Sequence, residues 1–108
     1  MITFIARLLV RPENAEAFEA LLTQVAEMTN RHEPGVAYYQ WSKGVDEEDT
    51  YLVVEVYRDL AAQASHMATD WVRDSLPISG QLIEKADIKQ YVTPGSEPVR
   101  VLRYKQQS

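Results

Sequence analysis

Apolar and polar residues alternate along the start of the chain. Ile2, Phe4, Ala6, Leu8 and Val10 fall on one face, and Thr3, Ile5, Arg7, Leu9 and Arg11 on the other. This predicts a strand over 2–11 whose second face is only partly polar. Pro12-Glu13-Asn14 breaks it and opens a helix. Proline is tolerated in a first turn, and Glu13 and Glu16 suit the positive end of the helix dipole. From about 14 to 32, Phe18, Leu21, Leu22, Val25 and Met28 recur at helical spacing, and Glu33-Pro34-Gly35 stops the helix. Alternation returns over Val36–Lys43 and over Thr50–Tyr57, with the acidic turn 44–49 between them, which reads as a hairpin. A helix over about 59–68 follows, with Asp59 as N-cap. Thr69 or Asp70 can cap another, which runs through Trp71, Val72 and Leu76 and is interrupted near Pro77. Gly80 is a local weak point. Ala86–Thr93 is a fourth strand, 94–98 a loop, and 99–104 has strand character before a frayed end.

The order β-α-β-β-α-β, with its second helix split, is the ferredoxin-like α+β arrangement: an antiparallel sheet with helices on one face. The uncovered face should then be polar. Here Ile5 and Leu9 on strand 1, Tyr38 on one side of strand 2 with Tyr39 and Trp41 on the other, and both sides of Thr50–Tyr57 supply large side chains to both faces. Leaving each in water forfeits about 1.5–3 kcal/mol. The pattern therefore predicts a homodimer whose sheets pack face to face, with 99–104 able to cross to the partner as an exchanged strand.

Composition narrows the function classes. A chain of 108 residues is one domain. A net charge of −5 lacks the basic footprint that nucleic acid requires. There is no cysteine, which removes disulfides and thiolate chemistry, and two histidines, His32 and His66, are too few for a His-rich metal site in one subunit. The apolar start breaks at Arg7 with no basic region before it, so it does not read as a signal peptide. No run approaches the roughly 20 apolar residues of a membrane span. The expectation is a cytoplasmic protein with no metal, no nucleic-acid partner and no membrane.

The candidate chemistry gathers at the strand-to-helix junction 55–71. His66 is the one central imidazole, able to take a proton from a phenol or to hold a ligand oxygen. Two helix faces fit the Ala-rich pattern: Leu60, Ala64, Met67 and Trp71 as the buried stripe, with His66 about 120° away, or Ala62, His66 and Thr69. His32, at the end of the first helix, reads as structural, a cation suited to the dipole. Glu55 shares a face with Val53 and Tyr57, and a buried carboxylate needs a partner. Arg7 on the first strand is the expected ion-pair partner, with a catalytic acid or base as the other reading. Tyr57 and Trp71 read as aromatic walls or plain core. Gln63, His66 and Asp70 can form a polar ridge.

Taken together, Phe4-Ile-Ala-Arg-Leu-Leu-Val-Arg-Pro12, Glu33-Pro-Gly35, Tyr51-Leu-Val-Val-Glu-Val-Tyr57 and Ala62-x-x-x-His66 resemble the antibiotic biosynthesis monooxygenase domain, a family of the dimeric α+β barrel superfamily. The resemblance spans about residues 2–94, leaving 95–108 as a C-terminal extension. Gln63 departs from the family's usual Leu, and Thr69-Asp70-Trp71 stands where many members read Ser-Pro-His. The haem-degrading branch is less similar: its strand-1 Asn falls at Ala6 or Arg7 here, and 72–84 contain no axial His.

The resemblance implies a homodimer with a mostly apolar pocket between sheet and helices, and it favours the face that turns His66 into that pocket. It further implies oxygenation of a small aromatic phenol, quinol or anthrone-like substrate without a cofactor. From the residues themselves, His66 first and Glu55 second are the candidate catalytic groups for such a reaction, and Arg7, Tyr39, Tyr57, Gln63 and Trp71 the candidate substrate-binding ones. Members also include isomerases of small carbonyl compounds and proteins without known activity, so a non-catalytic ligand-binding or structural module is the alternative.

Overall fold

In the computed structural model, which describes residues 1–100, the chain forms β1 (Ile2–Val10), a 3-10 turn (Pro12–Asn14), α1 (Ala15–His32), β2 (Val36–Lys43), β3 (Thr50–Tyr57), α2 (Leu60–Met67), α3 (Asp70–Leu82) and β4 (Ile83–Val92). The strands make one antiparallel sheet in the order β2-β3-β1-β4. This is the ferredoxin-like arrangement. β1 lies inside the sheet because both strands of the second β-α-β half, β3 and β4, pair with it, one on each side.

The even residues of β1 are buried beneath the helices, together with Tyr51, Val53 and Tyr57 of β3 and Tyr39 of β2. Phe18, Leu22, Val25 and Thr29 of α1 and Val72 and Ser75 of α3 press onto them. Two predicted caps are present: Asp59 accepts from Ala62 N at 2.9 Å and Thr69 from Val72 N at 3.3 Å. Each satisfies an orphan amide of a helix start.

Three expectations are corrected. α3 is not interrupted near Pro77 but runs on to Leu82. Pro77 lies on the exposed side, so the lost backbone bond is near water while the docked side keeps the helix in place. β4 begins at Ile83 rather than Ala86, directly from the helix, and pairs Ile83 with Val10. Arg7 and Glu55 do not form an ion pair. Arg7 stands opposite Leu52 and Glu55 opposite Phe4, so the two side chains leave the sheet on opposite faces. Arg7 binds Glu47 of the acidic turn instead, at 2.5 Å in solvent.

Of the candidate exchanged strand, Val99 is tied to its own chain. The Gln90 side chain accepts from Val99 N at 2.8 Å and donates to Val99 O at 3.0 Å. Residues 101–104 lie outside the described residues. No helix among the described residues is long and apolar enough to cross a membrane.

Candidate functional site

A cavity of about 320 Å³ lies between the sheet and the helices. Most of its wall is apolar, supplied by Leu8, Phe18, Leu22, Val25 and Val53 among others. Leu21 near the start of α1, Leu76, Ser79 and Gly80 late in α3, and Ile83 and Ala86 at the start of β4 gather at one end. Leu76, Gly80 and Ala86 are exposed there, which makes this the mouth. At the other end Tyr39, Glu55 and His66 line the wall, and Tyr39 and His66 are buried.

Backbone docking sets that blind end. Gly35 packs so closely on α2 that a Cβ there would fall 2.7 Å from the Ala62 methyl. Gly35 O also accepts from Arg58 N at 3.0 Å. The contact fixes the turn after α1 against α2 and carries Glu33 to His66. Glu33 Oε1 lies 2.9 Å from His66 Nδ1, and Glu33 Oε2 accepts from Trp71 Nε1 at 2.7 Å. The side chains of His66 and Glu33 are 4% and 8% exposed, so this pair is shielded from water. The Tyr39 and Tyr57 rings flank the imidazole at centroid distances of 5.4 and 5.3 Å.

Glu55 accepts a hydrogen bond from the Tyr57 hydroxyl. Burial pushes the Glu55 carboxyl above the ordinary carboxylate range. The Tyr57 hydroxyl and His66 oppose that rise, and the nearby Glu33 adds to it. Burial likewise raises the Tyr39 phenol, with the charges of Glu55 and Glu33 adding to it. Burial and then the charge of Glu55 raise the Tyr57 phenol. Both tyrosines are therefore neutral aromatic walls or hydrogen-bond donors, not bases.

Of the residues singled out in the sequence, His66, Glu55 and Tyr39 meet at the cavity. His66 lies on the Ala62-His66-Thr69 face, and Leu60 and Ala64 of the rival stripe are exposed. Tyr57 and Trp71 stand behind the polar groups and hold Glu55 and Glu33. Gln63 is half-buried but does not line the cavity, and Arg7 is across the sheet. His32 is exposed at the end of α1, its ring 5.7 Å from that of Trp71. Sequence reasoning missed Glu33, which it treated as part of a helix stop. One signal was available: a carboxylate at the negative end of a helix is unfavourable unless donors offset it. Ser75 and Ser79, one helical turn apart on the cavity wall, were also missed. Among the described residues no group of three or more His, Asp or Glu side chains is placed to hold a metal ion.

Fold and site together define a small antiparallel α+β domain with a ligand-sized cavity that is polar at its blind end. The chain belongs to the antibiotic biosynthesis monooxygenase family, whose model matches residues 1–75. The match contains every polar group at the blind end and stops short of Ser79, Gly80, Ile83 and Ala86 at the mouth. A solved structure of a candidate antibiotic biosynthesis monooxygenase from Caulobacter crescentus is similar, with 28% identity, a TM-score of 0.79, and coverage of 85% of this chain and 88% of that one. One from Deinococcus radiodurans shares the fold at 23% identity and a TM-score of 0.77, covering 94% and 99%. An uncharacterised Synechocystis protein is 34% identical over 83 residues, which is 76% of this chain. The matched region spans 56% of that relative's length.

Proposed function

We propose that the chain is a monooxygenase that needs no resident cofactor and oxidises a small aromatic phenol, quinol or anthrone-like compound. The observation that carries this reading is the cavity: apolar walls that close on one imidazole backed by a carboxylate. Its volume of about 320 Å³ is at the lower end of the about 300–1,000 Å³ typical of small-molecule sites. A flat aromatic ring suits these walls, with its hydroxyl at the blind end.

In this scheme His66 Nε2 takes the phenolic proton, and the electron-rich anion passes an electron to O₂, the oxidant. The radical pair joins through a C–O bond at a ring carbon that still bears hydrogen. Protonation of the peroxide's outer oxygen, loss of the remaining C–H proton and cleavage of the O–O bond release water and leave a second carbonyl. Phenol and O₂ thus become quinone and water, with O₂ accepting four electrons. The low-dielectric site strengthens the hydrogen bonds that hold the anion. Glu55, which keeps its proton more readily than an ordinary carboxylate, suits the donor's part better than the base's.

The test is O₂ consumption across a panel of hydroquinones, naphthols and anthrones. His66→Ala is expected to lower turnover by about 10²–10⁴-fold, the range for a lost general base. No uptake above background with any compound would overturn the enzyme reading in favour of a binding module of the same fold.

The working unit in this proposal is a homodimer of a single domain. Leu52 and Tyr38 are 37% and 49% exposed on the sheet face that no helix covers, beside the half-buried Ile5, Val54 and Val56. A second copy of that face would cover them.

A further inference from the structure

We propose that Glu33 is the positioning residue of this site: it fixes His66 with its proton on Nδ1 and Nε2 as the free acceptor, so the cavity selects neutral O–H donors such as phenols and enols over carboxylates. The tautomer half stands on geometry. The substrate half rests on the monooxygenase reading above.

A carboxylate oxygen only accepts hydrogen bonds, so a ring nitrogen 2.9 Å from Glu33 Oε1 carries the proton. The other oxygen is occupied by the Trp71 N–H, which holds the carboxylate plane in place. Its backbone is held as firmly, because Glu33 N bonds Thr29 O at 3.0 Å and no side chain fits at Gly35 against Ala62. His66 Nε2 makes no hydrogen bond to any described residue, while the ring itself lines the cavity. Nε2 is thus the acceptor that this ring can offer to a ligand in the cavity.

The groups around the imidazole then decide what can approach it. Glu33 comes from the end of α1, Glu55 and Tyr57 from β3, Tyr39 from β2 and Trp71 from α3. Among the described residues no Lys or Arg lines the cavity. A ligand carboxylate would present acceptors to an acceptor, beside two carboxyl groups and without a cation, whereas a hydroxyl supplies the one proton that Nε2 lacks.

The experiment is ¹⁵N NMR of the imidazoles in the full chain, at a pH where the rings are neutral, with His66→Gln used to assign the signals. The expected result is a protonated Nδ1 and an unprotonated Nε2 on His66. The reverse pattern would overturn the assignment, and this measurement needs neither a variant of Glu33 nor activity.

In Glu33→Gln the amide oxygen can still accept from Trp71 while its NH₂ donates to Nδ1, so the tautomer is expected to reverse. 1-Naphthol should then bind about tenfold more weakly, the worth of one hydrogen bond, and 1-naphthoate more tightly. An unchanged tautomer in the variant, or 1-naphthol binding the wild type no better than 1-naphthoate, counts against the proposal. If the tautomer and the selectivity hold while no phenol consumes O₂, the reaction fails and the positioning role stands.

Discussion

On β3, Val53, Glu55 and Tyr57 turn toward the helices, while Leu52, Val54 and Val56 turn away. On β1, Ala6 and Arg7 divide in the same manner. The inner face carries few polar groups, and the two carboxylates of the site are held by other side chains: Glu33 by His66 and Trp71, Glu55 by Tyr57. The outer face carries its charges in water, with Arg7 on Glu47 and Lys89 on Asp87, both pairs more than half exposed. It also leaves Leu52 and Tyr38 uncovered. One set of strands thus builds a low-dielectric site, where a single proton's position has consequences, and a surface where ion pairs contribute little.

The sharpest break of that comparison is an outer-face charge. If the outer face is covered by a second copy, Val54→Asp should raise the dimer dissociation constant by about a hundredfold or more, the cost of an unpaired charge at an interface. Light scattering would then show a species of 12.3 kDa with an unchanged circular dichroism spectrum. A wild type that already scatters as that species at micromolar concentration would remove the dimer from the proposal.

Glu55→Gln makes the next largest change, and it acts through pH. Burial raises the folded carboxyl, so the folded chain holds its proton more tightly than the unfolded chain. Wild-type stability is therefore full below the ordinary value of 4.5 and falls as pH rises through the folded value. The slope approaches about 1.4 kcal/mol per pH unit for one proton. Glu55→Gln should lack that slope while keeping an acceptor for Tyr57. Parallel urea curves for the two proteins across pH 4 to 8 would show that Glu55 is not desolvated as described. Arg7→Ala should make the smallest change, leaving the melting temperature of the isolated subunit within error. A clear drop would mean that Arg7 does more than meet Glu47 in solvent.

Much of the fold was legible because its periods are local. The alternation over 2–11 set the faces of β1, and Asp59 and Thr69 marked the starts of α2 and α3 in positions the structure retains. Half of the site was legible for the same reason: Glu55 was placed on a face with Val53 and Tyr57, as the pairing shows. The Arg7–Glu55 pairing failed because a strand's alternation defines two faces without saying which one meets the helices. The register that puts Phe4, not Arg7, opposite Glu55 settles that point. Pro77 misled because helix propensity was weighed without the docking that holds α3.

What the sequence determined by itself is the order of the elements, the division of each strand into two faces, and the clustering of an imidazole, an acid and two large aromatic rings within residues 55–71. Only the tertiary structure decided that Glu33, thirty-three residues before His66, completes the site. No local pattern records that contact, because it depends on the turn after α1 closing onto α2, where Gly35 leaves no space beside Ala62. The face of α2 that carries His66 inward was decided in the same way. An Ala-rich helix has little amphipathic preference of its own, and the burial of His66 beside Glu33, Tyr39 and Tyr57 supplies it.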